Sequence, residues 1–115
     1  MNDARWARLL ATAQKVIDRT MAELPPEVAA EARQVPVLFE KECEDDPEIL
    51  GHYGHFEAGE ISDAKGPIIL YLLAIELFCV EEGEDFDEQV RITYLHELGH
   101  HIGMDEGDLE ERGLE

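Results

Sequence analysis

The stretch that decides the reading is YLHELGHHIGMDEGDLEERGLE, residues 94–115, in which His96, Glu97 and His100 spell H-E-x-x-H. On an α-helix, at about 100° per residue, His100 falls about 40° from His96, and Glu97 about 100° from it, with Thr93 between them at about 60°. Two imidazoles one turn apart and a carboxylate beside them therefore share one arc. Tyr94, Leu95, Leu98, Ile102 and Ile92 take the other side, which is expected to face a core. Gly99 lies beside that apolar face, where it would let another element approach closely. Gly103 is a natural helix end. Asp85 followed by Glu88 resembles a capping box at the start. The helix is expected over roughly 86–102.

A helix with one apolar side and one His/His/Glu side suits a metal ion held on rigid structure beside a cleft. Zinc accepts imidazole and carboxylate ligands, and a catalytic zinc site uses three protein ligands and leaves one position open. The longer pattern H-E-x-x-H-x-x-G-x-x-[H/D/E] ends the helix at its glycine and swings the chain back. Its last position here is Glu106, so the expected ligand set is His96, His100 and Glu106. Asp105, Asp108 and Glu110 are nearby alternatives for the third place. Zinc lowers the pKa of a bound water and polarises a carbonyl, and Glu97, beside the metal but not on it, is the expected general acid/base of peptide-bond hydrolysis. His101 points about 100° beyond His100 and reads as structural, or as packed behind the ligands. His52 and His55, with Tyr53, could rim the cleft and donate hydrogen bonds to a developing oxyanion.

The composition narrows the partners. At 115 residues the chain reads as one domain, 1–115. Nine basic against 28 acidic residues give a net charge of −19, which repels phosphate backbones and anionic lipid and so argues against nucleic acid and membrane partners. The same field attracts divalent cations and basic peptide segments, and an unfolded protein or peptide is the expected substrate. The acid between Glu81 and Glu88 suits a solvated loop and the positive end of the following helix. Cys43 and Cys79 have no metal-like spacing, and with no export signal evident they are expected as reduced thiols in a cytoplasm. The apolar run PIILYLLAIELFCV, Pro67 to Val80, is short for a membrane span and contains Glu76, so it reads as core.

Upstream, Trp6, Leu9, Leu10, Ala13, Val16, Ile17, Met21 and Leu24 recur at the spacing of one helix face, and Pro25-Pro26 ends that helix. Pro26 suits the first position of a short second helix through Ala32. Val35 to Glu40 reads as a strand that Pro36 confines to an edge or a strand start. The segment EKECEDDPE reads as a charged loop, and Gly51 to Glu60 as glycine-rich chain with room for a short strand. Ile68 to Leu73 reads as a strand, while Ala74 to Val80 is compatible with strand or helix.

From Thr93 to Leu114 the sequence resembles the small bacterial zincin-like metallopeptidase family, minimal one-domain proteins with an H-E-x-x-H-x-x-G helix and an acidic tail. The likeness extends to the first helix ending in L-P-P-E, the VPVLFE strand, the turn at Leu50 to Tyr53 and the strand opening P-I-I-L. It implies a compact α+β fold: an N-terminal helix, a small mixed sheet and a C-terminal zinc-binding helix beneath it. It also implies His96, His100 and Glu106 as ligands and Glu97 as catalytic residue. Compared with the larger metzincins, Glu106 replaces a third histidine and no Met-turn follows; the distant Glu of thermolysin-like enzymes is also missing. A shallow cleft is the expected consequence. The alternative to a peptidase is a non-catalytic zinc protein whose metal stabilises the C-terminal tail or a partner interface.

Overall fold

A computed structural model describes residues 3–53, 56, 57, 60, 61 and 67–101. The apolar stripe near the N-terminus forms α1 (Asp3–Glu23), which buries Leu9, Ala13, Val16 and Ile17. Pro25 and Pro26 end it, because neither can donate the backbone hydrogen bond that another turn needs. Pro26 then opens α2 (Pro26–Ala32), at a first-turn position where its missing N–H costs nothing. The next strand, β1 (Val37–Glu40), begins two residues later than the sequence pattern alone suggests. Val35 is buried outside the ladder, and the Pro36 carbonyl accepts from the N–H of Ile68 at 2.9 Å.

The chain then leaves the sheet, and residues 41–50 form neither helix nor strand. It returns as β2 (Gly51–Tyr53), followed by the antiparallel pair β3 (Phe56–Glu57) and β4 (Glu60–Ile61). The central strand is β5 (Ile68–Tyr71). On one side β1 pairs with it in parallel, from Val37 against Ile68 to Glu40 against Tyr71. On the other side β2 pairs with it antiparallel, Gly51 opposite Leu70 and Tyr53 opposite Ile68. The sheet is thus mixed, and β1 and β2 are its two edges.

The expected strand 68–73 stops short. Tyr71 ends β5, and α3 (Leu72–Glu82) starts at the next residue. An unbroken apolar run carries no period of its own, so the boundary is set by burial: Leu72 and Ile75 are both fully buried, one turn apart. Gly83 ends α3 at φ +68°, a left-handed conformation in which a side chain would be strained. The run from Pro67 to Val80 is therefore strand plus helix, and no helix among the described residues is long and apolar enough to cross a membrane.

The last described element is α4 (Phe86–His101). Half of the expected capping box forms, since an Asp85 carboxylate oxygen accepts the N–H of Glu88 at 3.0 Å. The Glu88 carboxylate is engaged elsewhere: Nε of Arg91 donates to it, 3.1 Å from both oxygens. The same guanidinium holds the Glu88 carboxyl below the usual carboxylate range. Val90, Tyr94, Leu95 and Leu98 of α4 share a single core with Leu9, Ala13, Val16 and Ile17 of α1, with Ile68 and Leu70 of β5, and with Leu72 and Ile75 of α3. Three residues expected in the core are not there: Leu77 and Val80 of the apolar run lie exposed on α3, and the third is on α4. Ile92 is 37% exposed, because it lies only about 40° from His96 on the wheel, on the rim of the open side. Ile102 and Gly103 lie outside the described residues.

Candidate metal centre

The site is assembled by one short strand lying on one helix. A Cβ on Gly51 would come within 2.7 Å of Thr93 Cγ2 and 3.3 Å of Glu97 Cγ, so β2 sits on α4 closer than any side chain at that position would permit. Two residues on, and hence on the same face of the strand, the Tyr53 hydroxyl lies 2.8 Å from Nδ1 of His101. Thr93 presents its methyl to the strand, while its hydroxyl donates back to the Gln89 carbonyl at 2.7 Å. The strand therefore covers the arc of α4 that runs from Thr93 through Glu97 to His101.

Past that arc the helix opens. His96 and Glu97 are partly buried and His100 is exposed. The Nε2 atoms of His96 and His100 are 3.2 Å apart, their rings edge-on at 74° with centroids 4.8 Å apart. A tetrahedral zinc ion with bonds of about 2.0–2.1 Å holds two nitrogens about 3.3 Å apart, so the spacing of the pair suits such an ion. One ligand atom from each of His96, Glu97 and His100 lies within 4.8 Å of the others. His96 and His100 thus offer two imidazole ligands of the kind zinc takes, with the Glu97 carboxylate beside them.

Other expected residues fall differently. Glu106 and its alternatives Asp105, Asp108 and Glu110 lie outside the described residues, as does His55. His52 lies between Gly51 and Tyr53, so strand alternation puts it on the face of β2 turned away from α4. The Tyr53 hydroxyl meets His101. His101, as its wheel position requires, points inward. Nε2 of His101 meets Glu31 of α2 at 3.2 Å. Gly51 and Glu31 carried no signal in the sequence, since each acquires meaning only from a helix or strand far away in the chain. Both cysteines are free thiols, Cys79 buried and Cys43 partly so; burial, with Asp85 and Glu84 nearby, pushes the Cys79 thiol up.

The sequence model of the zincin-like metallopeptidases matches residues 25–114. The chain belongs to the zincin-like metallopeptidase family. A comparison with curated proteins finds no match. The zincin match takes in α2, the whole sheet, α3 and α4, and leaves out α1, which nevertheless packs on α4. Zincin membership implies zinc, and the converging nitrogens of His96 and His100 are consistent with it.

Proposed function

We propose that this zincin-like protein is a zinc-dependent peptidase, with His96, His100 and Glu106 holding the metal and Glu97 acting as general acid/base. The observation that carries the reading is the 3.2 Å convergence of two imidazole nitrogens beside the Glu97 carboxylate, on the open flank of a packed helix. Bound zinc would supply a water of lowered pKa and a polarised peptide carbonyl. Glu97 takes the proton of the attacking water and returns it to the leaving amine. The Gly51 backbone lies close against the root of the Glu97 side chain, which limits its swing. β2 is a sheet edge along this same helix, so an extended peptide adding a strand there would run beside Glu97. The net charge of −19 favours basic or unfolded segments as substrate. Two free thiols suit a reducing cytoplasm as the place of action.

Glu97→Gln tests the mechanism. The variant is expected to keep one zinc per chain and to lose about 10²–10⁴-fold in hydrolysis, the usual weight of a general acid/base. A wild type that carries zinc and cleaves no member of an unfolded-protein panel overturns the peptidase reading. In Glu106→Ala tight zinc should be lost; retention would move the third ligand to Asp105, Asp108 or Glu110. The exposure of His100 favours one other reading, a non-catalytic zinc whose open side stabilises the C-terminal tail or a partner.

A further inference from the structure

The imidazole of His101 is nearly sealed, its side chain 4% exposed, yet it follows the exposed His100 directly. Both of its ring nitrogens are engaged. Nε2 lies 3.2 Å from a Glu31 carboxylate oxygen and Nδ1 lies 2.8 Å from the Tyr53 hydroxyl. An ionised carboxylate only accepts, so Nε2–H donates to Glu31; in the tautomer protonated there, Nδ1 accepts and Tyr53 donates to it. One tautomer satisfies every partner and ties together α2, β2 and α4. The Tyr53 ring adds an edge-on contact, with centroids 5.5 Å apart.

The place of this tie gives it a consequence. A metal held by two residues one turn apart needs both turns of the helix in fixed register. His96 stands beside Leu95 and Leu98, which are buried in the core. His100 stands in the final described turn, after Gly99, which has no side chain to pack. The 3.2 Å spacing between the two Nε2 atoms thus depends on the final turn staying in register with the one before it. Among the described residues, His101 ties this turn to α2 and β2, while Leu98 ties it to the core.

We propose that His101 is a positioning residue of the metal centre: Glu31 and Tyr53 fix its ring, and its ring fixes His100 at the distance from His96 that one metal ion requires. The inference rests on His96 and His100 being ligands, as proposed above. Loss of either hydrogen bond loosens His100 while leaving the core residues in place.

Cobalt(II) titration of the full chain, followed by visible absorption, tests this in the wild type, Tyr53→Phe and Glu31→Gln. Each titration is run well below the melting temperature of the metal-free protein, where every variant is folded. The wild type is expected to take up one cobalt, and each variant to bind it about tenfold more weakly, the low end of what removing a group behind a metal ligand costs. A purely structural tie would lower the melting temperature and leave cobalt affinity unchanged, so equal affinities in all three proteins overturn the positioning role alone. A wild type that binds no cobalt overturns the metal centre, and this role with it. Because the readout is affinity, the result does not depend on peptidase activity.

Discussion

The two flanks of α4 are built from the same 16 residues and serve opposite ends. One flank, Val90, Tyr94 and Leu98, is buried against α1, α3 and the sheet. The other, His96 and His100 with Ile92 at its rim, faces outward. Between them runs the arc of Thr93, Glu97 and His101, on which β2 is seated. The contrast teaches that stability and chemistry are drawn from different sides of a single helix. The metal face can therefore be altered at small cost to folding, and the core face cannot.

The sharpest way to break that contrast is to empty the open flank. His100→Ala should abolish tight metal binding, read by elemental analysis, while the metal-free protein keeps its stability to within about 0.5 kcal/mol, as for exposed positions generally. Unfolding of the metal-free variant would show that the flanks are not separable. On the buried flank Leu98→Ala should do the reverse. It is expected to cost about 2–5 kcal/mol in denaturant unfolding, as removal of a fully packed leucine does, and to show its effect without metal present.

The strand between the flanks sharpens the comparison further. Gly51→Ala places a methyl 2.7 Å from Thr93 Cγ2, and should cost about 1–3 kcal/mol through overpacking and lower hydrolysis by displacing Glu97. Thr93→Ser removes that methyl and keeps the hydroxyl that bonds Gln89, so the double variant should regain most of the stability. No recovery would mean that the close approach lies elsewhere. The smallest effect belongs to Tyr94. Its ring is fully buried, and its hydroxyl has no hydrogen-bond partner among the described residues. Tyr94→Phe should therefore be neutral, or stabilising by about 1 kcal/mol. Burial also pushes the Tyr94 hydroxyl from 10.0 up to about 12. Between those values the unfolded chain has lost its proton and the folded chain keeps it, so stability falls as pH rises through that window. Tyr94→Phe should flatten this alkaline slope in pH-dependent melting. Tyr71, also raised to about 12 by burial and a bond with Cys43, leaves part of the slope in place.

What was legible in the sequence was whatever has a period or a punctuation mark. The stripe from Trp6 to Met21, closed by Pro25-Pro26, gave α1 and α2 with their ends, and Asp85 marked the start of α4. The end of β5 was not legible, because an apolar run buried on all sides alternates with no period. Ile92 misled because a hydrophobic residue near the edge of an apolar arc fits core and rim alike. At the site, the wheel was enough to bring His96, Glu97 and His100 together and to turn His101 inward. It could not supply what packs on them. Gly51 read as one glycine in a glycine-rich stretch, and Glu31 as one acid among 28, until pairing across the sheet and the docking of α2 gave each a neighbour.

The parallel pairing of β1 with β5 has a consequence for how such a protein can diversify. The chain leaves β1 at Glu40, beside Tyr71, and enters β5 at Ile68, beside Val37 at the opposite end of the pair, so the connection is a crossover that carries β2 with it. Lengthening a crossover of this kind costs little, since loop-closure entropy grows only with the logarithm of length. This one contains β2, the edge that lies along Glu97. Length can therefore be added on either side of β2, while β2 itself stays tied to β5, to Glu97 and to His101.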